Sequence, residues 1–513
     1  MRKGRSVFLK NAVTLTVTSL ILRTVGMFFR IYLSGKIGTE GMGLYQLVFS
    51  IYVLGATFAT SGICTAVTRL VADELACGTA RSVRRILWRS ILLSLGIGII
   101  STAIIYFGAE PISIYWIRDV RAIPALRMLS LSLPSMGVSS CLRGYFVARR
   151  RVDGNSRAQL LEQAVRIVIV AVLIDRFVKQ GLAKACLAVM IGDTVAEWVA
   201  CGHSALAYLW DRRRVSRELK SRESPVSGSV IKRVLAIAAP ITAGRYLNTA
   251  LRTVENILVP NKIAMYCGSK ERGLSEFGAL KGMALPLIFF PASFLSAMST
   301  LLIPELSSAK TLHRQDKINI AVRKALQITL LSSVLIGTIM LVFSSELGQL
   351  LYQSDEVGIF LRVLAPLTPV MYTESIVDGM LKGLNQQTSS LKYSVADSSI
   401  RIVLILLLVP HTGMGGFLFI MVISNLLTSF LNLRRLLLVT GTTIPWDRWL
   451  LRPTIGAVLA AAASVFITHL PLVDRLSGIA LTILGILCLC VFYVALVLLM
   501  GCITRSELRR ATT

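Results

Sequence analysis

The chain alternates long apolar runs with short polar segments along its 513 residues. Most runs reach about 20 residues, the length that a helix needs to cross the hydrocarbon core of a bilayer. The runs are continuous, whereas strands of a membrane barrel would alternate apolar and polar positions. We therefore predict an all-α polytopic membrane protein with about 14 transmembrane helices, at roughly 11–33, 43–72, 87–107, 121–147, 158–176, 182–209, 231–260, 277–304, 321–343, 358–383, 391–409, 415–437, 450–469 and 476–502.

Composition excludes several classes of protein. Apolar residues make up 54% of the chain and charged residues only 16%, which excludes a soluble enzyme, a coiled coil and a disordered chain. The nine cysteines and four histidines are dispersed, so neither a disulfide framework nor a metal site is indicated. With no phosphate-binding loop and no catalytic cluster, we expect no cofactor, no enzyme activity and no ATP hydrolysis.

The net charge of +28 resides mainly in the loops. Loops on one side of the predicted membrane hold roughly three times as many lysines and arginines as those on the other, which predicts cytoplasmic termini and a multi-pass protein of the cytoplasmic membrane. The same cations favour contact with anionic membrane lipids. Loop cations between apolar runs do not indicate binding of nucleic acid.

Two halves of the chain resemble each other weakly, in the same order. The matches are Arg23 and Arg30 with Arg245 and Arg252, Glu162–Arg166 with Asp397–Arg401, and 142–144 with 381–383; paired prolines (Pro124 and Pro134, Pro366 and Pro369) can kink the fourth span of each half. Six spans return the chain to its starting side, so the repeat is parallel, as in some transporters. We predict an N-lobe of helices 1–6 (1–211), a basic cytoplasmic linker (212–230), a C-lobe of helices 7–12 (231–440), and helices 13–14 with a cytoplasmic tail (441–513).

Several arginines fall inside predicted spans, among them Arg23, Arg30, Arg69, Arg245 and Arg252. An arginine costs about 2.5–3.5 kcal/mol at the bilayer centre and usually faces water or a partner. In each half, the first-span pair is seven residues apart and so shares one helix face. The excess of cations predicts a cavity for an anion, and guanidinium groups suit phosphate oxygens. The candidate substrate-binding residues are Arg23, Arg30, Arg69, Arg245, Arg252, Glu255 and Asn256. For Arg30 and Arg69 the alternative is snorkelling to an interface.

Other charged residues receive different interpretations. Glu374 and Asp378 lie four residues apart in the tenth span and are candidate ion-coupling residues for Na⁺ or H⁺. Arg166 with Glu162, and Arg401 with Asp397, are predicted to be structural i,i+4 pairs. Arg143 and Lys382 are interpreted as interfacial anchors.

Several segments resemble the multidrug/oligosaccharidyl-lipid/polysaccharide exporter superfamily, which includes MATE transporters. More narrowly, the chain resembles the stage V sporulation protein B branch of bacterial oligosaccharide flippases. The segments that carry this resemblance are 23–30, 41–46, 61–74, 142–146, 252–260, 282–287 and 302–306.

The resemblance implies two six-helix lobes around a central cavity, alternating access and a lipid-linked sugar pyrophosphate as cargo. By motif, Arg23 matches a pyrophosphate-binding arginine of related lipid II flippases, Arg30 matches a second with one extra intervening residue, and Arg69 matches loosely. The last two spans would form a groove for the lipid tail.

The leading hypothesis is therefore a flippase for an undecaprenyl-pyrophosphate-linked sugar or peptidoglycan precursor in the bacterial cytoplasmic membrane, serving spore cortex or other cell-wall synthesis. One alternative is a cation-coupled multidrug exporter. The other is a non-transporting membrane scaffold, or a sugar-polymerising enzyme, in a complex of cell-wall synthesis proteins.

Overall fold

A computed structural model describes residues 2–77, 80–218, 229–470 and 477–502. The centre of the predicted linker (219–228) and the predicted tail from residue 503 lie outside the described residues. The described residues contain no β-strand, which confirms the all-α prediction. Their helices are α1 (Arg2–Thr60), α2 (Ile63–Cys77), α3 (Ala80–Pro111), α4 (Ala122–Ser130), α5 (Leu133–Ala148), α6 (Val152–Val178), α7 (Leu182–Glu218), α8 (Val230–Cys267), α9 (Lys270–Phe277), α10 (Leu285–Thr311), α11 (Gln315–Val342), α12 (Ser344–Tyr352), α13 (Asp355–Leu364), α14 (Thr368–Gly383), α15 (Gln387–Thr440), α16 (Arg452–Thr468) and α17 (Gly478–Leu499).

Eight helical stretches within the described residues are long and apolar enough to cross a membrane. Some are too long for a single pass, and the two longest helices are each broken at a glycine. Gly38 in α1 has φ 68° and Gly413 in α15 has φ 61°, values that glycine adopts without the strain of a side chain. Each helix thus consists of two segments, and the predicted total of about 14 spans stays a prediction.

Prolines interrupt the fourth predicted span of each sequence half. Span 121–147 is divided into α4 and α5, with Pro134 in the first turn of α5. Span 358–383 is divided into α13 and α14 by a short 3₁₀ segment that contains Pro366, and Pro369 lies in the first turn of α14. Because proline lacks the amide hydrogen that a continuous helix needs, it favours these breaks.

The chain forms two compact units, Met1–Gly278 and Ala279–Thr513. In the first unit, α6 packs against α7, α5 packs against α2 and α3, and α8 packs against α1 and α2. In the second, α14 packs against α10, α11 and α15, and α16 pairs with α17. The first predicted helix of the C-lobe, α8, therefore belongs to the first compact unit. The predicted lobe boundaries, which rest on the sequence repeat, stay a prediction.

Both predicted structural arginine pairs are confirmed. Arg166 lies 2.7 Å from Glu162, and its Nε lies 2.5 Å from a carboxylate oxygen of Asp193 on the next helix. Arg401 lies 2.6 Å from Asp397. Asp397 also accepts a 2.6 Å hydrogen bond from a serine of the following helical segment, Ser424. In the first unit Arg166 thus joins two consecutive helices, whereas in the second unit Asp397, paired with Arg401, makes the contact with the next helical segment.

Candidate substrate cavity

A cavity of about 780 Å³ opens within the first unit. Its walls are the second segment of α1 (39–60), helices α2, α5 and α8, and one side chain of α7. This volume falls in the range of about 300–1,000 Å³ that is usual for small-molecule sites. Helix periodicity places polar residues on the cavity because each wall contributes positions three or four residues apart.

Helix α8 presents a polar, cationic face to the cavity. Arg245, Asn248, Thr249, Arg252 and Asn256 all line it, and their spacing of three or four residues keeps them on one side of the helix. The adjacent wall, from α1, also contributes positions at helical spacing. There the lining residues include Gln46, Ser50 and Thr57.

Side-chain hydrogen bonds attach α8 to this wall. Thr253 donates to the backbone carbonyl of Ser50 over 3.2 Å, and Asn256 Nδ2 donates to Ser50 Oγ over 3.0 Å. Near the other end of α8, Thr242 donates to the carbonyl oxygen of Ser61 over 2.5 Å. These bonds fix the direction in which the arginines of α8 point.

A glycine permits α8 to approach so closely. Gly62, between α1 and α2, has φ 75°, and a Cβ atom there would lie 2.4 Å from the carbonyl oxygen of Ala238. Any side chain would clash with the backbone of α8. The contact therefore requires glycine for both conformation and space.

The charge of the cavity is predominantly positive. Arg143, Arg245 and Arg252 line it with exposed side chains, and none of them forms an ion pair with a residue that the structure describes. Glu197 is the one acidic residue in the lining. Such an arrangement favours an anion with several oxygen atoms.

The structure brings together only some of the predicted substrate-binding residues. Arg245, Arg252 and Asn256 line the cavity, whereas Glu255 is on the buried side of α8, with 2% exposure. The remaining predicted residues, Arg23, Arg30 and Arg69, are outside the cavity lining. Arg23 and Arg69 have exposed side chains, and Arg30 is half-buried within electrostatic range of Tyr45.

The sequence interpretation missed two charged residues of the cavity, Arg143 and Glu197, together with most of its uncharged lining. Arg143 was assigned to an interface, yet Met136, Ser139 and Ser140 precede it at helical spacing and line the same cavity. The two serines lie one turn before Arg143 on the same side of α5, and this polar stripe could have indicated a cavity rather than an interface. Glu197 carries no comparable signal, because its position depends on how α7 packs against α5 and α6.

The predicted coupling residues lie in α14, in the second unit. Asp378 accepts a hydrogen bond from Lys382 and another, of 2.7 Å, from Ser390. Glu374 is half-buried and also has an interaction partner. Their role in ion coupling stays a prediction.

Comparison with known proteins identifies the family to which this chain is related. Residues 8–310 match the family described as polysaccharide biosynthesis protein, and residues 263–407 match the MatE family. The chain is 25% identical to stage V sporulation protein B of Bacillus subtilis (strain 168) over 417 residues, which are 80% of each protein. It is 23% identical to the lipid II flippase MurJ of the same organism over 426 residues, covering 79% of this chain and 77% of that protein.

A solved structure shares the fold. An inward-facing multidrug resistance MATE family transporter of the MOP superfamily matches with a TM-score of 0.63 and 14% identity, over 84% of this chain and 100% of that one. The fold and the apolar helices define a multi-span helical membrane protein of the MATE architecture. More narrowly, the chain belongs to the polysaccharide biosynthesis protein family. The family resemblance predicted from the sequence segments is thereby confirmed.

Proposed function

We propose that the protein is a flippase that moves an undecaprenyl-pyrophosphate-linked sugar or peptidoglycan precursor across the bacterial cytoplasmic membrane by alternating access. The observation that carries this proposal is the convergence of Arg143, Arg245 and Arg252 on one polar cavity. Stage V sporulation protein B and the lipid II flippase are relatives along most of the chain, which supports a role in spore cortex or other wall synthesis.

The chemistry of the cavity suits a diphosphate better than a single charge. Guanidinium groups donate paired hydrogen bonds to phosphate oxygens, and two or three of them can share the oxygens of a pyrophosphate. Gln46, Asn248 and Asn256 supply amide groups that can bond sugar hydroxyls. The protein forms and breaks no covalent bond in this reaction, so we propose that it is not an enzyme.

The arginines outside the cavity belong to the same proposal. Arg23, Arg30 and Arg69 would contact the substrate elsewhere on its path, and Arg23 makes no hydrogen bond or ion pair within the described part of the chain. Both termini would lie in the cytoplasm, and Glu374 with Asp378 would couple transport to Na⁺ or H⁺. Association with cell-wall synthesis proteins is a further prediction.

A multidrug exporter is less consistent with this cavity. A site for cationic drugs needs net negative charge, whereas three arginines and one glutamate line the cavity. A scaffold, the other alternative, would tolerate loss of these arginines without loss of function.

Reconstitution in vesicles tests the proposal. A fluorescent undecaprenyl-pyrophosphate-linked sugar is placed in vesicles with the full chain, and its translocation is measured by quenching of the accessible leaflet. We expect Arg143→Gln, Arg245→Gln and Arg252→Gln each to slow translocation by about 10-fold or more, the equivalent of one lost charge-assisted hydrogen bond. Lys262→Gln, on α8 but outside the cavity lining, is the matched control.

Arg23→Gln is included in the same assay because it tests the wider arginine prediction separately. Translocation at the wild-type rate by the triple variant Arg143→Gln/Arg245→Gln/Arg252→Gln would overturn the proposed function. A membrane-potential or ion-gradient dependence that disappears in Asp378→Asn would support coupling.

A further inference from the structure

A second cleft, of about 510 Å³, lies in the first unit away from the substrate cavity. It is formed where the end of α7 packs beside the start of α6, and its lining shares no residue with the first cavity. We name it the basic cleft, and its principal lining residues are Arg151, Arg157, His203, Leu206, Trp210 and Arg214.

The positive charge of the basic cleft exceeds its negative charge. Arg157 and Arg214 are exposed and form no ion pair with any acidic residue in the described part of the chain. Two acidic residues, Asp153 and Asp211, also line the cleft. The carboxylate of Asp211 is paired with Arg149 and Arg151. Asp153 is therefore the one lining carboxylate that is left to oppose an anion.

A buried network holds one wall of the basic cleft in place. The carboxylate of Asp211, 4% exposed, pairs with Arg149 over 3.1 Å and with Arg151 over 2.7 Å. Tyr145 adds a hydrogen bond of 2.8 Å to the same carboxylate. Arg151 is thereby fixed at the cleft edge and needs no rearrangement to bind an anion.

The start of α6 adds further attraction for an anion. Arg151 is the N-cap residue of this 27-residue helix, and its side chain does not cap the first amides. Gly154, in the first turn, lines the cleft. The amide groups of a helix start carry partial positive charge and favour phosphate oxygens.

An apolar strip continues outward from the charged part. Trp210 is 75% exposed and Leu206, one turn earlier on α7, is 58% exposed. Tryptophan is enriched where the apolar and polar regions of a membrane meet. The cleft thus combines a site for a phosphate with a surface for an acyl chain, at the end of a membrane-spanning helix.

We propose that the basic cleft binds one anionic membrane phospholipid, with its phosphate between Arg151, Arg157 and Arg214 and an acyl chain along Leu206 and Trp210. Basic pockets between transmembrane helices are suited to such headgroups. The site is separate from the substrate cavity and does not depend on the proposed transport activity. Its occupant would be retained when the protein is extracted from the membrane.

Native mass spectrometry of the full-length protein in mild detergent tests the proposal. The protein is titrated with phosphatidylglycerol, with phosphatidylcholine and with inorganic phosphate, and bound adducts are counted. We expect one tight phosphatidylglycerol adduct, and affinity lower by about 10-fold or more in Arg157→Gln/Arg214→Gln, the equivalent of about 1.4 kcal/mol. Arg212→Gln/Arg213→Gln is the control, because it removes the same charge from exposed positions outside the cleft.

Trp210→Ala distinguishes a lipid from a free phosphate. It retains every cation, so the proposal predicts weaker phosphatidylglycerol binding with no change for inorganic phosphate. Equal loss of lipid in the cleft and control variants would overturn the site. Tight binding of inorganic phosphate that excludes the lipid would overturn the assignment of its occupant.

Discussion

Asn256 and Ser50 are hydrogen-bonded over 3.0 Å although 206 positions separate them in the chain. Asn256 lies on α8, the first helix of the predicted second half, and Ser50 lies on α1 in the first half. The bond is formed at the cavity wall, beside Arg252. It therefore links the packing of α8 with the position of the groups proposed to bind substrate.

This contact predicts a small, specific coupling. Because hydrogen bonds between membrane helices contribute about 0.6 kcal/mol on average and at most about 1.7 kcal/mol, we expect Ser50→Ala and Asn256→Leu to be non-additive by that amount. The free energy of unfolding in detergent, measured for both single variants and the double variant, gives the coupling. Strict additivity would contradict the bond.

A close approach between glycines predicts a larger effect on stability. A Cβ atom at Gly278 would lie 2.0 Å from the carbonyl oxygen of Thr39 and 2.5 Å from the amide nitrogen of Gly43. The backbone of Gly278 is already helical, so the obstacle is space rather than conformation. We expect Gly278→Ala to lower the free energy of unfolding by about 1–3 kcal/mol, as overpacking does.

Thermal unfolding followed by circular dichroism measures this effect. Gly96→Ala in α3 is the control, since a Cβ atom there meets no other atom within 4 Å and alanine favours a helix over glycine by about 1 kcal/mol. The two substitutions should shift the melting temperature in opposite directions. If Gly278→Ala leaves the melting temperature unchanged, α1 and the end of α9 do not contact each other at this point.

The polar contact at Arg166 should be essential for the packing of α6 on α7. Removing one partner of a buried ion pair leaves the other charge uncompensated and costs about 3–5 kcal/mol. We expect Arg166→Leu to reduce the stable, extractable protein severely, because Glu162 and Asp193 both lose their cation. Arg166→Lys should retain part of the stability, since it restores the charge without the planar fork.

The comparison variant for Arg166 is Lys36→Leu, which removes an ion pair with Asp175 in which both side chains are exposed. Exposed pairs contribute about 0–1 kcal/mol, so its melting temperature should remain near that of the wild type. If the two variants have the same melting temperature, the ion pairs of Arg166 do not stabilise the packing of α6 on α7.

Sequence reasoning reached the fold through features that depend on local physical chemistry. Apolar runs of membrane-crossing length predicted the helices, and Pro134 and Pro366 predicted the breaks in the fourth spans because a proline acts on its own helix. The spacing of Arg245 and Arg252 likewise placed both on one face of α8, and the structure shows that this face lines the cavity.

Features that depend on packing between distant segments were not accessible in this way. Arg143 looked like an interfacial anchor because the sequence does not reveal which helix its face meets. Glu197 projects into the cavity only because α7 packs against α5 and α6. The breaks at Gly38 and Gly413 fall between predicted spans, at 34–42 and 410–414, but the sequence did not indicate that the backbone would turn there through a single glycine with positive φ.

Glu197 yields the last prediction, on the strength of anion binding. As the one acidic residue in the cavity lining, it opposes an anion when its carboxylate is ionised. Replacing it by glutamine removes the negative charge and retains the shape.

We expect Glu197→Gln to bind inorganic pyrophosphate roughly two- to fivefold more tightly, the scale of one partly screened charge contact of about 0.5–1 kcal/mol, and to release it more slowly. Isothermal titration at alkaline pH, where the carboxylate is ionised, and at two salt concentrations measures the effect, which should shrink as salt increases. Glu110→Gln, which removes an exposed carboxylate outside the cavity, should leave the affinity unchanged; weaker binding by Glu197→Gln would show that the carboxylate positions Arg143 rather than opposing the anion.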